Sequence, residues 1–306
     1  METRKLGKLD VTVVGLGCNN FGWRVGQAET NEVVDAAIAS GINFFDTADM
    51  YGTGESETFL GVALGKRRKD VVIATKFGFE MGEGKTGASP SYVKEAAQAS
   101  LTRLNTDYID LYQLHRPDPA TPIADTLGAL QELVLEGKVL EIGCSNFSAE
   151  QLAEAASVIA PGIPGFRSVQ NEYSMMHREP EKDVIPECKR LGMSFIPYFP
   201  LANGLLTGKY RKGKPLPANS RGGDAWGPAV FSDQNLDIVE NLITFAGDNK
   251  HTLLKLAISW LAAQEVVVSV IAGSKSVAQV KQNAVAGSWK LTRDELKAVD
   301  SILAGK

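Results

Sequence analysis

The amino-acid sequence predicts an α/β fold, a (β/α)8 TIM barrel built from eight strand–helix units. Three observations predict this fold. Short β-rich runs alternate with helical patterns along the chain. Glycine separates a helical pattern from the next strand at Gly41, Gly137 and Gly192, where a left-handed conformation can end the helix. The strand patterns end in polar residues, as expected of a barrel whose active site lies at the C-terminal ends of its strands.

Eight β-rich runs supply the predicted strands. They lie near Val13–Gly17, Phe44–Asp46, Val71–Lys76, Ile109–His115, Leu140–Ser145, Val169–Glu172, Ser194–Tyr198 and Val267–Ala272. The helical patterns cover Asn31–Ser40, Glu57–Leu64, Tyr92–Leu104, Ile123–Glu136, Ala149–Ile159, Glu181–Leu191, Leu253–Ala263 and Val277–Ala284. A hairpin from Arg4–Leu6 to Val11–Val14 is predicted before the barrel, and an extra amphipathic helix, Arg293–Leu303, after it.

The main alternative fold is a doubly wound sheet, which usually opens with a glycine-rich dinucleotide-binding turn. Gly15 and Gly17 start such a pattern, but Gly22 comes two residues too late to complete it. No Pro/Gly-rich linker divides the chain, so we expect residues 1–306 to form a single domain. The longest irregular stretch, Thr207–Asp233, follows the seventh strand and is interpreted as a lid or a surface insertion.

Composition excludes several classes of function. A net charge of -4 with 22% charged residues gives no electrostatic signature of nucleic-acid binding. The longest apolar-rich stretch, Thr252–Ala263, is interrupted by Lys255 and is too short to span a membrane. The charged N-terminus lacks a signal-peptide pattern. Three widely spaced cysteines, Cys18, Cys144 and Cys188, are expected to be free thiols. We therefore expect a cytoplasmic protein.

Polar side chains collect at the ends of the predicted strands, which meet at one mouth of a barrel. They include Asp46, Lys76, His115, Ser145, Asn146, Gln170, Tyr198, Gly273, Ser274 and Lys275. Asp46 and Lys76 would pair there. The ammonium would favour the phenolate of Tyr51, five residues past Asp46, and lower its pKa. Tyr51 could then give a proton to a carbonyl oxygen that His115 orients, while a bound cofactor supplies hydride.

Each of these residues also has an ordinary structural interpretation, such as a turn cap for Asp46 or loop packing for Tyr51. Two other chemistries occur in barrels of this kind. A metal-dependent hydrolase needs clustered ligands, and three widely separated histidines do not provide them, so no metal is expected. A Schiff-base aldolase could use Lys76 as nucleophile, but it would not need Ser145, Gln170 and Tyr198.

Four segments resemble the signature segments of the aldo-keto reductase superfamily. They are Asp46–Tyr51, Ala74–Lys76, Asp107–His115 and Ile142–Phe147. The resemblance extends from about Gly15 to Asn283, with the segments in the correct order. It implies a (β/α)8 barrel, an NADP(H) cofactor extended across its mouth, and a catalytic tetrad of Asp46, Tyr51, Lys76 and His115 in which Tyr51 is the general acid.

The same resemblance implies which residues bind the cofactor. Ser145, Asn146 and Gln170 would hold the nicotinamide carboxamide, and Tyr198 would stack on the ring. The segment from Tyr198 to Tyr210 is similar to the pyrophosphate-covering stretch of the long-loop branch, which implies contacts from Pro200, Leu201, Gly204, Leu205 and Lys209. That branch usually has a small residue at the position of Phe199 and a glycine at that of Asn203. The adenosine-phosphate site would comprise Gly273, Ser274, Lys275, Gln279 and Asn283, with Gln279 where many reductases carry arginine.

The substrate is predicted to be a small carbonyl compound, within a broad range of aldehydes and ketones. Asn20, Phe21 and Trp23 follow the first strand and would either wall the substrate pocket or pack within their loop. The alternative function is a cofactor-sensing interaction subunit with slow turnover, as in relatives that attach to potassium channels. Steady-state turnover of a good aldehyde would distinguish the two.

Overall fold

Eight parallel strands form one sheet in the computed structural model, which describes residues 1–159, 163–217 and 230–305. We number all strands in chain order, starting with a two-stranded hairpin. They are β1 (Thr3–Leu6), β2 (Leu9–Thr12), β3 (Val14–Gly17), β4 (Phe44–Asp46), β5 (Val72–Phe77), β6 (Ile109–Leu114), β7 (Val139–Ser145), β8 (Ser168–Glu172), β9 (Ser194–Tyr198) and β10 (Val270–Gly273). The order in the large sheet is β10-β3-β4-β5-β6-β7-β8-β9.

The residues just before β10 bring the two edges of this sheet together. The backbone N–H of Phe195 on β9 donates to the carbonyl oxygen of Val266 (2.7 Å), and the N–H of Val268 donates back to Phe195 (3.1 Å). Helices connect the successive parallel strands, as crossover connections require. The sheet is therefore a nearly closed barrel, and the (β/α)8 prediction is confirmed.

The parallel register sets the C-terminal ends of the strands level with one another. Gly17 at the end of β3 pairs with Asp46 on one side and Gly273 on the other. Ser145 at the end of β7 pairs with Gln170 on β8. The polar residues that end the predicted strands thus lie on one rim of the barrel.

The β1–β2 hairpin covers the opposite, N-terminal end of the barrel. Its turn is fixed to β7, because the N–H of Lys8 donates to Glu141 Oε1 at 2.7 Å. Gly7 has φ +56°, and a Cβ there would lie 2.4 Å from that same oxygen, so the turn requires glycine. The second hairpin strand ends at Thr12, two residues earlier than predicted, because Val14 already pairs with β10.

Apolar side chains from the hairpin complete the packing inside the barrel. The interior cluster consists of Leu6, Leu9, Val11, Phe44, Val72, Ala74, Leu111, Ile196, Val268 and Ile271. A larger cluster fills the layer between sheet and helices, where the Trp260 and Tyr173 rings lie 5.4 Å apart. All three cysteines are buried and free, as predicted. Interior and outer layer together hold the strand ends in place.

Ten α-helices are present in the described residues. They are α1 (Gln27–Ala39), α2 (Glu55–Leu64), α3 (Pro90–Leu104), α4 (Ile123–Leu135), α5 (Ala149–Ser157), α6 (Val184–Leu191), α7 (Asp233–Asp248), α8 (Leu253–Ala262), α9 (Val277–Ala286) and α10 (Arg293–Leu303). α6 starts three residues later than predicted, because Glu179–Glu181 forms a separate 3-10 turn. Within the described ranges, no helix is both long enough and apolar enough to cross a membrane.

The sequence interpretation missed one helix, α7. Ser232 caps its N-terminus, and Leu236, Val239 and Leu242 bury one face of it. The three-residue spacing of these side chains is a helical signal, but it directly follows a glycine- and proline-rich stretch that is typical of a loop. Residues 218–229 of the predicted loop Thr207–Asp233 lie outside the described residues.

Candidate active site

A cavity of about 780 Å³ opens at the C-terminal rim of the barrel. Its size falls within the range of about 300–1,000 Å³ usual for ligand pockets. Most of the predicted site residues line it, namely Asn20, Asp46, Tyr51, His115, Ser145, Asn146, Gln170, Tyr198, Pro200, Leu201, Gly204, Lys209, Gly273, Lys275, Gln279 and Asn283. Lys76 lies directly behind this lining. The strand ends therefore bring the predicted tetrad and most of the predicted cofactor residues to one place.

Asp46 and Lys76 form a buried ion pair. Lys76 Nζ lies 2.7 Å from Asp46 Oδ1 and also donates to the backbone carbonyl of Thr47 at 2.8 Å. Both side chains are almost completely buried. The other carboxylate oxygen, Asp46 Oδ2, accepts a hydrogen bond from Gln170 Nε2 at 2.8 Å. Burial by itself lowers the pKa of Lys76, but the facing Asp46 and Tyr51 side chains more than offset this and raise it, so the lysine stays charged.

Tyr51 approaches this ion pair from the loop after β4. It begins a short 3-10 turn, Tyr51–Gly54, and Lys76 Nζ lies 5.1 Å from the centre of its ring. The prediction that the Tyr51 pKa would be lowered is wrong. Burial raises the pKa of the phenol, and although Lys76 acts in the expected direction, it does not outweigh burial. The hydroxyl is therefore neutral and holds a proton at physiological pH.

His115 stands beside Tyr51, with the two ring centres 6.0 Å apart and nearly perpendicular. Burial, the Lys76 charge and the Arg116 charge together lower the pKa of His115 to about 2, so its imidazole is neutral. Its Nδ1 atom has no hydrogen-bond partner among the described residues. Phe79, which sequence interpretation missed, presents its ring edge-on to the imidazole at 4.6 Å. A neutral imidazole fixed in this way can donate one hydrogen bond towards the cavity.

Asp49 is a second buried carboxylate on the same loop, and it was also missed. It is 1% exposed, and neither carboxylate oxygen has a hydrogen-bond partner in the described part of the chain. Burial raises its pKa to about 7, with a further contribution from the charge of Glu57. Glu57 itself is held by Arg103 Nε at 2.6 Å. The backbone N–H of Asp49 donates to the backbone carbonyl oxygen of Lys76 at 3.1 Å, which connects this loop to β5.

A hydrogen-bonded group of polar side chains forms the next part of the rim. Asn146 has φ +62°, and its Nδ2 donates to the carbonyl oxygen of His115 at 2.9 Å. Its Oδ1 accepts from the Tyr198 hydroxyl at 2.9 Å. Ser145 Oγ donates to the backbone of Gln170 at 2.7 Å. These amides and hydroxyls provide donors and acceptors of the kind that a carboxamide needs, with the Tyr198 ring alongside.

The segment after β9 turns sharply over one side of the cavity. Phe199, Ala202 and Asn203 have positive φ values of 50°, 45° and 57°, and Gly204 follows at 98°. The N–H groups of Ala202 and Gly204 donate to the carbonyl oxygens of Phe199 and Leu201, both at 2.8 Å, so the turn is held by its own backbone hydrogen bonds. Lys209 adds a positive charge here. Leu205 is placed differently from the other predicted contacts, because it is completely buried in the core and does not line the cavity.

The start of α9 forms the far end of the cavity. Lys275 and Gln279 line it, and Gln279 Oε1 accepts from the Lys275 backbone N–H at 2.7 Å. Ser274 is 1% exposed and bound to Asn283 Nδ2 at 3.1 Å, so it lies behind the lining. A cationic side chain at a helix N-terminus favours a phosphate group. With the polar groups around Tyr198 and the turn near Gly204, the cavity offers the donor set that a dinucleotide requires.

The three predicted substrate residues are separated in the structure. Asn20 lines the cavity, and its Oδ1 has no partner among the described residues. Phe21 is completely buried in the core, whereas Trp23 is 65% exposed beneath the Arg24 guanidinium, and neither lines the cavity. The substrate end is lined instead by Met50, Phe79 and Arg116.

The geometry also bears on the two rival barrel chemistries. Within the described residues, no group of three or more His, Cys, Asp or Glu side chains is placed to hold a metal ion. A Schiff-base lysine must be neutral to attack a carbonyl group. Lys76 is charged instead, because its ammonium is paired with Asp46 and its pKa is raised. This charge does not suit a Schiff-base nucleophile.

Comparisons with known proteins identify the family. The family model described as "Aldo/keto reductase family" matches residues 13–304. An uncharacterized oxidoreductase, YqkF, of Bacillus subtilis is 34% identical, with 98% of this chain and 96% of the relative covered. Probable aldo-keto reductase 1 of Glycine max is also 34% identical, with 96% and 87% covered. Among solved structures, the glycerol dehydrogenase AKR11B4 from Gluconobacter oxydans superposes with a TM-score of 0.86 at 29% identity, covering 99% of this chain and 95% of that one.

Proposed function

Because the chain belongs to the aldo/keto reductase family, we propose that it is an NADP(H)-dependent oxidoreductase that reduces aldehydes or ketones to alcohols, with Tyr51 as general acid. Family membership makes it an oxidoreductase that acts on small carbonyl compounds with a nicotinamide cofactor. The finer proposal depends on one observation, the position of the Tyr51 ring above the buried Lys76–Asp46 pair at the cavity floor.

Tyr51 gives its proton to the carbonyl oxygen as that oxygen becomes an alkoxide. The raised pKa of the phenol ensures that the proton is present before the reaction. After the transfer, the phenolate faces the buried Lys76 ammonium, which stabilises the new negative charge. Asp46 keeps that ammonium in position and charged. The ion pair thus stabilises the product state of the proton transfer more than its starting state.

His115 orients the substrate in this proposal. An imidazole with a pKa of about 2 carries no charge at neutral pH, so it does not compete with Tyr51 as acid. One ring N–H is available for a hydrogen bond to the carbonyl oxygen. Phe79 holds the ring in place by its edge-on contact. Two donors, one from Tyr51 and one from His115, would then converge on the same oxygen.

A bound nicotinamide supplies the hydride that adds to the carbonyl carbon. Ser145, Asn146 and Gln170 would hold its carboxamide, and Tyr198 would pack against its ring. The left-handed turn around Gly204 would contact the pyrophosphate together with Lys209. Gln170 would also connect cofactor binding to the ion pair, because its side-chain Nε2 donates a hydrogen bond to Asp46 Oδ2.

The preference for NADP(H) over NAD(H) is assigned to Lys275. A 2′-phosphate brings between one and two negative charges to the start of α9, whereas a ribose hydroxyl brings none. Lys275 lines the cavity at that place, and Ser274 is too buried to be a main contact. The preference would therefore depend on the single charge of a lysine ammonium rather than on a bidentate arginine.

A panel of aldehydes and ketones tests the proposal, with reduction measured as the consumption of NADPH or NADH. We expect turnover with NADPH, and a loss of at least about a hundredfold in kcat for Tyr51→Phe with nearly unchanged cofactor affinity. Near-normal turnover in Tyr51→Phe would refute its role as acid. Tight NADPH binding with negligible turnover of every carbonyl compound would favour a cofactor-sensing subunit instead.

A further inference from the structure

Arg116 is the charged side chain at the substrate end of the cavity. It directly follows His115 and lines the same cavity. Its guanidinium lies over the face of the Phe79 ring, 4.4 Å from the ring centre, and Phe79 in turn contacts the His115 ring. Two ring contacts therefore connect this guanidinium to the residue that would orient the carbonyl group.

The charge of Arg116 is not balanced inside the cavity. Asp46 is the one carboxylate among the described lining residues, and it is neutralised by Lys76. The other lining cations, Lys209 and Lys275, lie on the segments proposed to contact the cofactor phosphates. Among the described residues, none places a carboxylate oxygen within 4.0 Å of Arg116. The described lining of the substrate end therefore carries one guanidinium and no carboxylate to pair with it.

Asp118 is the acidic residue that follows most closely in sequence, and its carboxylate is already occupied. It accepts hydrogen bonds from the N–H groups of Ala88 (2.8 Å) and Ala120 (3.0 Å) and from the hydroxyl of Thr121 (2.8 Å). Burial raises the pKa of Asp118, but these hydrogen bonds and the Arg116 charge together lower it below its usual value. Asp118 thus shapes the loop while leaving the N–H groups of Arg116 available.

We infer that Arg116 selects carbonyl substrates that carry an anionic group, a carboxylate or a phosphate, a few atoms away from the carbonyl carbon. This inference rests on the proposed reductase function. A guanidinium presents a planar set of donors that matches a carboxylate or phosphate in a two-point contact. The contact with the Phe79 ring keeps the guanidinium beside the cavity. The carbonyl oxygen of such a substrate would lie at Tyr51 and His115 while its anion lies at Arg116.

Two matched substrate pairs test the inference. One is 4-oxobutanoate and its methyl ester, and the other is glyceraldehyde 3-phosphate and glyceraldehyde. Each pair differs in charge but shares the reacting aldehyde, and the pairs separate carboxylate from phosphate recognition. The measured quantity is the ratio of kcat/KM for the anionic member to that for the neutral member, in wild type, Arg116→Gln and Arg116→Lys. Thermal unfolding confirms that each variant is folded.

We expect the ratio for at least one pair to fall about tenfold in Arg116→Gln, chiefly through KM, and to recover partly in Arg116→Lys. In wild type, that ratio should also fall as salt is added, because an exposed guanidinium is screened. The control is Arg190→Gln, which removes an exposed arginine paired with Glu187 on α6, away from the cavity lining, and should leave both ratios unchanged.

Unchanged ratios for both pairs in Arg116→Gln would overturn the inference while leaving the reductase proposal intact. An equal fall in Arg190→Gln would also overturn it, because the effect would then reflect overall charge. If wild type reduced no member of either pair, nor any other carbonyl compound with NADPH or NADH, the proposed function would fail and this inference with it.

Discussion

Replacing Lys76 by methionine should separate the chemical and structural roles of the buried ion pair. Methionine keeps most of the length of the side chain and removes its charge. Asp46 would then remain as a buried carboxylate with its hydrogen bond from Gln170 but without a counter-ion. Breaking a buried pair on one side costs about 3–5 kcal/mol. For a chain of 306 residues, an unfolding entropy of about 2.1 cal/mol/K per residue converts this to a loss of roughly 5–8 °C in Tm.

The pH dependence provides an independent check of the same reasoning. The pKa of Lys76 is raised in the folded protein, so the stability it contributes is complete below the ordinary lysine pKa and is lost only at strongly alkaline pH. Wild type should therefore show no loss from this group between pH 5 and 8. Lys76→Met lacks this ammonium, so the difference in Tm between variant and wild type should shrink only at strongly alkaline pH, where wild type loses the same contribution.

Differential scanning calorimetry and NADPH-linked turnover are the assays. The control Lys66→Met makes the same substitution at an exposed lysine and should change neither Tm nor turnover. The double variant Asp46→Asn/Lys76→Met removes both charges, so it should regain much of the lost Tm but remain inactive. A Lys76→Met protein with wild-type Tm, or a double variant as unstable as the single one, would refute the argument from the buried charge.

Two further predictions follow from the charges near the cavity. Lys275→Glu should weaken NADPH binding about tenfold to a hundredfold and leave NADH binding nearly unchanged, as measured by fluorescence titration. Equal losses for both cofactors would remove Lys275 from the phosphate site. Asp49 has a pKa raised to about 7, so the folded state binds its proton more tightly than the unfolded chain does, and stability should fall as the pH rises from about 4 through 7. Asp49→Asn should lack this decline and be more stable than wild type at pH 8 in urea unfolding, and a pH profile parallel to that of wild type would contradict the assignment.

The sequence predicted those features that depend on order along the chain. Strand ends in a parallel barrel must meet at one rim, so the proximity of Asp46, Lys76 and His115 could be predicted from the sequence. The helix α7 could also have been found, because Leu236, Val239 and Leu242 repeat with helical spacing after a serine N-cap.

Other features depend on three-dimensional packing and could not be predicted in this way. The Tyr51 pKa depends on how much burial outweighs the Lys76 charge, and no pattern in the sequence measures either quantity. Phe21 and Trp23 are two residues apart, yet one is in the core and the other in solvent, because the chain bends between them. The contact between Phe79 and Arg116 could more nearly have been predicted. These residues follow the ends of β5 and β6, which are neighbouring strands.

The hairpin closes the N-terminal end of the barrel, so the barrel is open only at its C-terminal rim. Leu6, Leu9 and Val11 fill the bottom, and the interior above them combines apolar side chains with the buried polar side chains of Gln113, Ser168 and Ser269. Molecules can reach Asp46 and Lys76 from the rim but not from below. A ligand large enough to cover the rim would therefore block solvent access. It would separate the reacting groups from bulk water without any movement of the barrel itself.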